Sequence, residues 1–339
     1  MKKTDSILIV AEIGINHNGD ISLAKRMIDA AKQSGADAVK FQNYRTEDFV
    51  LNKTINFKYN SNTGMVIENQ FEMFKRYELT FEKLKKLKSY CDSIEINFFS
   101  TPTSTRGIEE LKLLGVDYIK NGSDFIQNLP LIEEMAKSKI PVVISTGMAN
   151  LAQIDEAVRT FENAGGKDLI ILHCVSQYPA PMKEVNLLKI PVLKNVFGYP
   201  IGFSDHTEGN EAAIGAVALG ATFIEKHFTL SHDLPGPDHQ FSSTPDEFSI
   251  YVESIRNIEM ALGSKKLIPT TEDQKNASLY HLSCVARKKL NPNHVLTIDD
   301  IGFSRPGDGF PPKMRDFLIG RKLLKSKDPG VNFNFEDFV

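Results

Sequence analysis

Residues 201–229 decide the fold of this chain and read IGFSDHTEGNEAAIGAVALGATFIEKHFT. The apolar runs at the two ends each carry a histidine, and a helix-like stretch of small residues, 208–221, separates them. A strand, a helix and a second parallel strand of this length place both strand ends on the same side of a sheet. His206 and His227 are therefore expected to converge on one point, which suits a divalent metal ion that polarises a substrate oxygen. The alternative is two unrelated polar residues at strand ends, because a metal site needs a further ligand.

The same alternation of apolar runs and helical segments extends over most of the chain. We predict eight strands, at Ile7–Glu12, Ala38–Gln42, Asn97–Ser100, Tyr118–Asn121, Val142–Ser145, Leu169–Cys174, Ile201–Ser204 and Phe223–His227. These runs contain few alternating polar residues, as expected for parallel strands that are buried on both faces. Segments such as Ser22–Lys32 and Phe81–Tyr90 have helical periodicity. The pattern predicts an α/β fold, a (β/α)8 TIM barrel.

A doubly wound open sheet is the competing fold. A dinucleotide-binding version of it carries Gly-x-Gly-x-x-Gly directly after the first strand. The glycines at that point, Gly14 and Gly19, have a different spacing. The sequence therefore favours the barrel.

The composition restricts the class of protein and its partners. The chain has 339 residues, of which 41% are hydrophobic and 24% charged, and its formal net charge is -3. The sequence has no long basic run, so nucleic acid is not expected as a partner. It has no apolar stretch long enough to predict a membrane span. The three cysteines, Cys91, Cys174 and Cys284, are widely separated. Scattered cysteines of odd number favour a reducing cytoplasm over a disulfide framework.

Two further segments depart from the barrel pattern. We predict a barrel over residues 1–265, a linker over 266–282 and a small, helix-poor domain over 283–339. About 57 residues bury only a marginal core, so the small domain is expected to rest on a neighbour. Within the barrel, the long connection Asn43–Thr80 is polar and aromatic. Such a connection is more often a lid or a binding loop than an insertion without a role.

The expected carboxyl ends of the strands are rich in polar residues, and in a barrel this end carries the active site. Two lysines and several hydroxyl groups that point inward would bind a phosphate or a carboxylate. Together with a metal-binding histidine pair, they indicate an anionic substrate beside a carbonyl group that needs activation. Taken singly, each of these residues has a structural explanation, such as capping a helix.

An ordered set of motifs resembles one known family. Ala11-Glu-Ile-Gly-Ile-Asn-His-Asn-Gly-Asp20 is similar to the opening motif of the sialic acid (N-acetylneuraminate) synthases and of their relatives that make legionaminic and pseudaminic acids. Further matches are Val39–Gln42, Phe99–Pro102, Ile144–Met148, Leu172–Cys174, Tyr178–Pro181, Gly202–Thr207, Ile224–Thr229 and Gly236–Asp238. Arg305-Pro-Gly-Asp-Gly309 resembles the C-terminal antifreeze-like (SAF) domain of the same enzymes. The resemblance covers essentially the whole chain.

The resemblance implies a condensation of phosphoenolpyruvate (PEP) with an open-chain N-acylated mannosamine-type sugar, in which water adds and phosphate leaves. It implies that His206 and His227 bind Mn²⁺ or Mg²⁺ and that Glu12 is a general base or a contact to a sugar hydroxyl. The implied PEP ligands are Lys40, Thr101, Lys120, Ser123, Ser145 and Ser204. The implied sugar ligands are Gln42, Asp124, Tyr178, Asp238 and Arg305, with Arg305 coming from a second subunit of a domain-swapped homodimer.

The chain departs from the family pattern at positions that touch the sugar. Asp124-Phe125 stands where many members carry a small or apolar residue followed by Glu. The usual sugar-facing acid is therefore either missing or moved by one position to Asp124, which has a shorter reach. Ser176-Gln177 replaces a Thr-Asn type pair. The sugar therefore stays open between N-acetylmannosamine, its 6-deoxy 2,4-diacetamido analogue and the altrose-type pseudaminic precursor.

Two other functions stay open on the residues themselves. The first is a Schiff-base (class I) aldolase that uses pyruvate, with Lys40 or Lys120 as the nucleophile. The second is a non-enzymatic carbohydrate-binding or ice-binding protein. The paired histidines have no task in the first function, and the inward polar groups have none in the second.

Overall fold

The computed structural model describes residues 6–61 and 64–338 of the chain. It separates into two compact units, the first ending at Gly263 and the second running over Ser264–Val339. The division lies two residues before the boundary that the sequence predicts. Among the described residues, no helix has both the length and the apolar character that a membrane span requires.

The first unit is built around a closed barrel. Its elements are β1 (Leu8–Gly14), α1 (Ile21–Gln33), β2 (Ala38–Asn43), α2 (Thr46–Phe49), β3 (Asn56–Ser61), β4 (Gly64–Asn69), α3 (Gln70–Tyr77), α4 (Phe81–Ser93), β5 (Asn97–Pro102), α5 (Thr105–Leu114), β6 (Ile119–Asn121), α6 (Leu129–Lys137), β7 (Val142–Ser145), α7 (Leu151–Asn163), β8 (Leu169–Cys174), α8 (Lys189–Phe197), β9 (Ile201–Asp205), α9 (Glu211–Ala218), β10 (Phe223–His227) and α10 (Pro245–Leu262). The strands pair in the order β1-β10-β9-β8-β7-β6-β5-β2, and β2 closes the ring on β1. The predicted (β/α)8 barrel is confirmed.

The helices cover the outside of the barrel because each has an apolar face and a defined start. In α1, Asp20 caps the first turn by accepting a hydrogen bond from the Ser22 amide at 2.7 Å. Its buried residues are spaced three and four apart, so they form one stripe against the strands. These residues are Ala24, Met27, Ile28 and Ala31. Helix α10 starts with a capping box between Thr244 and Glu247.

A layer of large apolar side chains fills the lower half of the barrel interior. It contains Val10, Phe99, Val143, Leu172 and Phe223, all at most 1% exposed. Because strand side chains alternate, the residue two positions later on each strand also points inward. Those later positions are polar on most strands, and they are Glu12, Thr101, Ser145, Cys174 and Glu225. The change from apolar to polar positions sets the floor of a site at the carboxyl ends of the strands.

The long connection between β2 and α4 has secondary structure of its own. It contains the antiparallel hairpin β3–β4 and the helices α2 and α3. An aromatic cluster joins these pieces to the loop after β1, and its buried members are Ile15, Tyr44, Met73 and Tyr77. The polar sequence of the hairpin gives only a weak strand pattern, which is why the sequence predicts a loop here.

The second unit contains α11 (Thr271–Tyr280), the antiparallel pair β11 (Ser283–Ala286) and β12 (Ile301–Ser304), and the one-turn helix α12 (Arg315–Leu318). It has its own apolar core, which includes Cys284, Phe310 and Phe333. The segment 266–282 that we predicted to be a linker therefore holds a helix. None of the residues of α11 is buried, so this helix lacks the apolar stripe that would have revealed it.

Candidate active site

A cavity of about 850 Å³ opens at the carboxyl ends of the barrel strands. It brings together all of the predicted site residues of the first unit, namely Glu12, Lys40, Gln42, Thr101, Lys120, Ser123, Asp124, Ser145, Tyr178, Ser204, His206, His227 and Asp238. Arg305 belongs to the second unit, where its Nε atom donates to the Tyr280 carbonyl at 3.0 Å. A cavity of this size and position is typical of a small-molecule site.

Two lysines and two carboxylates form a buried cluster on the cavity floor. Lys40 Nζ lies 2.8 Å from Glu12 Oε1 and 3.8 Å from Glu225 Oε2. Lys120 forms an ion pair with Glu225 Oε1, which also accepts a hydrogen bond from Ser204 Oγ at 3.1 Å. The two ammonium groups and the two carboxyl groups can balance in charge, and Glu12 Oε2 and Glu225 Oε2 are buried without hydrogen-bond partners. An arriving anion would compete with the carboxylates for the lysine protons.

The two carboxylates of this cluster have opposite protonation tendencies. Burial raises the pKa of Glu12, and the nearby charge of Lys40 offsets only part of that effect. Burial also acts on Glu225, but Lys120 and Lys40 outweigh it and hold the pKa of Glu225 below its usual value. Paired carboxyl groups whose pKa values are pushed apart divide the work of acid and base chemistry. Glu225 is thus the fixed counter-ion, and Glu12 is the group that can exchange a proton.

The sequence analysis assigned no role to Glu225, although it is one of the polar residues at the end of a predicted strand. It lies two positions before His227 on β10 and therefore points to the same face of the strand. That spacing is the signal that could have identified it, because an acid beside an inward-facing histidine shares its cavity.

The two imidazoles lie next to each other at the cavity wall. The ring centroids of His206 and His227 are 5.5 Å apart, and their planes are tilted by 54°. The Nδ1 atom of His206 is in hydrogen-bond contact with the Val175 carbonyl at 2.7 Å, which orients the ring. The Nδ1 atom of His227 is buried without a hydrogen-bond partner. Burial lowers the pKa of His227 well below its usual value, so the ring is neutral and able to bind a metal ion.

His206 and His227 fit a divalent cation whose remaining coordination positions are not filled by side chains of the described residues. Within 6–61 and 64–338, no group of three or more His, Cys, Asp or Glu side chains is arranged to hold a metal ion. A cation bound here would therefore complete its shell with oxygen atoms of substrate or water, as catalytic metal sites do.

Hydroxyl groups surround the lysines. Lys40 Nζ donates to Thr101 Oγ1 at 3.3 Å, and Ser123 Oγ accepts from the Gly147 amide at 3.1 Å. The Ser145 and Ser176 hydroxyls are buried without hydrogen-bond partners. A Cβ atom at Gly147 would lie 2.2 Å from Ser176 Oγ, so glycine is needed for these groups to approach each other. Unpartnered hydroxyls beside two ammonium groups are suited to the oxygen atoms of an anion.

The residues predicted to bind a sugar line the same cavity, and two of them contact the groups already described. Gln42 Nε2 donates to Glu12 Oε1 at 3.5 Å, and the ring centroids of Tyr178 and His206 are 4.1 Å apart. Burial, reinforced by the charge of Glu12, raises the pKa of Asp238 to about 7. Asp124 also lines the cavity, and its carboxylate folds back toward Gly122, where an added Cβ would lie 2.5 Å from Oδ1. Phe125 lines the cavity as well. Position 124 therefore places a carboxylate in the cavity lining, next to Phe125.

The β3–β4 hairpin and the segments next to it form an aromatic wall. Its cavity-lining residues are Tyr44, Phe49, Phe57, Lys58, Tyr59, Met73 and Phe74. The cavity therefore has both charged and aromatic lining residues, and a ligand could contact charge at one end and aromatic rings at the other. The long connection between β2 and α4 is part of the cavity lining.

Comparisons with known proteins agree with this arrangement. The model of the NeuB family matches residues 27–267. The N,N'-diacetyllegionaminic acid synthase of Campylobacter jejuni is 37% identical over 96% of this chain and 97% of its own length. The pseudaminic acid synthase of Helicobacter pylori is 33% identical over 94% and 93%. A crystal structure of the N-acetylneuraminic acid synthetase of Leptospira borgpetersenii, in complex with citrate, aligns with a TM-score of 0.72 at 36% identity, covering 80% of this chain and 90% of that one.

Proposed function

Because the chain belongs to the NeuB family, we propose that it is a nonulosonic (sialic-type) acid synthase. It would condense PEP with an open-chain N-acylated mannosamine-type sugar and water to give a 2-keto sugar acid and phosphate. The observation that carries this proposal is the buried Glu12–Lys40–Glu225–Lys120 cluster directly beside two neighbouring imidazoles. The cluster suits the anionic reactant, and the imidazole pair suits the activation of an aldehyde.

PEP would bind with its phosphate and carboxylate at the two lysines and the nearby hydroxyl groups. The proposed ligands are Lys40, Thr101, Lys120, Ser123, Ser145 and Ser204. Each lysine is already held by a carboxylate, so the ammonium groups are oriented before the ligand arrives and lose little entropy on binding. The carboxylate of Glu225 lies next to both Nζ atoms, and its charge helps to raise the pKa of Lys120 against the opposing effect of burial.

The reaction then forms one carbon–carbon bond and breaks one bond to phosphate. Carbon 3 of PEP attacks the aldehyde carbon, whose oxygen takes a proton to become a hydroxyl group, and positive charge develops at carbon 2. Water adds to carbon 2, and the tetrahedral intermediate expels phosphate. Glu12 lies at the floor with a raised pKa, which makes it the group that would take a proton from the attacking water. His206 and His227 would hold Mn²⁺ or Mg²⁺, which supplies Lewis-acid polarisation of the aldehyde oxygen when it is bound.

The sugar would lie above PEP, between the imidazoles and the aromatic wall. Gln42, Asp124, Tyr178 and Asp238 are its proposed polar contacts in the barrel. From the family resemblance we further propose that the second unit is an antifreeze-like (SAF) domain. Its Arg305 would complete the site of a second subunit in a domain-swapped homodimer, and the enzyme would work in the cytoplasm.

Schiff-base chemistry has less support, because it needs a neutral lysine. Burial on its own lowers the pKa of Lys120, but the carboxylates of Glu225 and Glu12 outweigh it and raise that pKa above the usual value. A charged ammonium is not a nucleophile.

Phosphate release tests the proposed function. PEP with Mn²⁺ is mixed with N-acetylmannosamine, its 6-deoxy 2,4-diacetamido analogue or the altrose-type pseudaminic precursor. We expect phosphate release and a 2-keto acid product with one of the three. A covalent adduct trapped by borohydride in the presence of pyruvate, with no phosphate released from PEP, would instead identify an aldolase.

The aromatic wall gives a prediction about the sugar. Phe57→Ala removes a half-buried ring from the cavity lining, and about 1.5 kcal/mol of apolar contact is lost. We expect the KM for the sugar to rise about tenfold and the KM for PEP to stay unchanged. Steady-state kinetics with each substrate varied in turn measures this. Ile67→Ala, on the same hairpin but outside the cavity lining, is the matched control. An equal rise in both KM values for Phe57→Ala would contradict the assignment.

A further inference from the structure

A buried charged network lies directly behind the two imidazoles. Asp205 and Lys226 each precede one of the histidines, and they are paired across β9 and β10 in the parallel register. Because strand side chains alternate, both point to the helix-facing side of the barrel while His206 and His227 point to the cavity. Neither Asp205 nor Lys226 lines the cavity, and both are at most 4% exposed.

The hydrogen bonds of this network are complete. Lys226 Nζ donates to Asp205 Oδ2 at 3.1 Å and to the carbonyls of Thr207 and Gly209 at 2.5 and 3.2 Å. These three acceptors match the three protons of an ammonium group. Asp205 Oδ1 accepts from the amide and the hydroxyl of Thr207 at 2.8 and 2.7 Å. Tyr251 of α10 donates its hydroxyl to Asp205 Oδ2 at 2.9 Å.

The network ties together the backbone on both sides of the imidazole pair. Asp205 and Thr207 flank His206, and both are bonded to Lys226, the residue before His227. Movement of one strand end relative to the other would break at least one of these bonds. The spacing and tilt of the two rings are therefore coupled to a set of contacts that the substrate never touches.

Stability alone does not account for charges at this place. Removing two charges from water is costly, and a well-packed apolar pair of similar size is often equally stable or more stable. A fully bonded ion pair, by contrast, fixes one geometry of the groups around it. An apolar pair on the outer face of β9 and β10 would pack well but would leave the relative position of the strand ends less defined.

We propose that Asp205, Lys226 and Tyr251 are positioning residues that set the separation of His206 and His227 for a divalent cation. This proposal rests on the metal role in the proposed function. Groups that hydrogen-bond to metal ligands typically contribute 10- to 100-fold to metal affinity. This network would act on the same ligands through the backbone that carries them. The network should therefore act on the affinity for the cation and leave the PEP floor unaffected.

Mn²⁺ binding to the full-length protein, measured from the free-ion EPR signal, tests the proposal. Tyr251→Phe keeps the ring and removes one hydrogen bond, and we expect about tenfold weaker Mn²⁺ binding with an unchanged KM for PEP. Asp205→Asn leaves Lys226 without its counter-charge, and we expect a loss of about 100-fold. Tyr90→Phe is the matched control, because it removes a tyrosine–aspartate hydrogen bond of 2.6 Å to Asp29. Asp29 and Tyr90 lie on helices outside the cavity lining.

The outcomes separate this inference from the proposed function. Wild-type Mn²⁺ affinity in Tyr251→Phe, with binding abolished in His206→Ala, would overturn the inference and leave the metal role intact. A wild-type protein that binds no Mn²⁺ at millimolar concentration would overturn both. Because Asp205→Asn can unfold the barrel, thermal melting of each variant accompanies the titration, and Tyr251→Phe decides the question if Asp205→Asn does not fold.

Discussion

Lys120→Met is expected to lower kcat/KM by about a thousandfold. The substitution removes a buried ammonium group that we propose binds PEP, and it leaves Glu225 with Lys40, 3.8 Å away, as its remaining counter-charge in the cluster. Removing one charged partner of a desolvated anion costs about 2–5 kcal/mol of interaction with that anion, and 4 kcal/mol corresponds to nearly a thousandfold in rate. Breaking the buried ion pair on one side separately costs about 3–5 kcal/mol of folding stability. Phosphate release from PEP measures the loss of activity, and thermal melting measures the loss of stability.

A double variant separates these two effects. Lys120→Met combined with Glu225→Gln removes both charges of the pair, so the melting temperature should recover most of what the single variant loses. Activity should stay low, because the anion still lacks its ammonium partner. Recovery of turnover in the double variant would show that Lys120 acts only through stability and does not bind the substrate.

His206→Ala is expected to abolish Mn²⁺ binding and to lower turnover by at least about a thousandfold, with little change in melting temperature. The remaining imidazole cannot hold a catalytic cation alone, and Lewis-acid activation is worth several kcal/mol. Chelation of the wild-type protein with EDTA should have the same effect, and added Mn²⁺ should restore activity. His232→Ala is the control, because His232 is half-exposed beside Glu247 and lies outside the cavity lining. Full wild-type activity in EDTA would contradict the metal role.

The barrel could be predicted from sequence because its strands are buried on both faces. β7, β8 and β10 match their predicted bounds. β7 and β8 begin with unbroken runs of Val, Ile and Leu, and β10 is fully buried although three of its five residues are charged or polar. β1 extends to Gly14, two residues beyond the prediction, because pairing with β2 continues through a register shift. Turn and strand signals overlap at such an end, and only the partner strand decides where it stops.

Two elements could not be predicted, and the physical reason is the same for both. They are the β3–β4 hairpin of the first unit and α11 of the second unit. The β3–β4 hairpin is largely exposed, and α11 buries none of its residues. Without a buried face there is no periodic apolar pattern to detect. Both elements depend on local hydrogen bonds and on neighbours that are distant in sequence.

Most of the candidate site was accessible from the strand-end rule and from the family motifs, but its electrostatics were not. The sequence placed Lys40, Lys120 and Glu12 on one face, and it did not show that Glu225 joins both lysines. Nor did it distinguish Asp205 and Lys226 from ordinary strand residues, because their importance lies in contacts with Thr207 and Tyr251. Side-chain pairing across a barrel requires coordinates.

The apolar layer under the lysines has a kinetic consequence. The barrel below the lysines is filled by Val10, Phe99, Val143, Leu172 and Phe223, so within the described part of the chain the cavity opens at the carboxyl ends of the strands. A cavity with one opening favours ordered binding and release. With PEP at the floor and the sugar above it, as proposed, PEP would bind before the sugar, and phosphate would leave after the sugar acid.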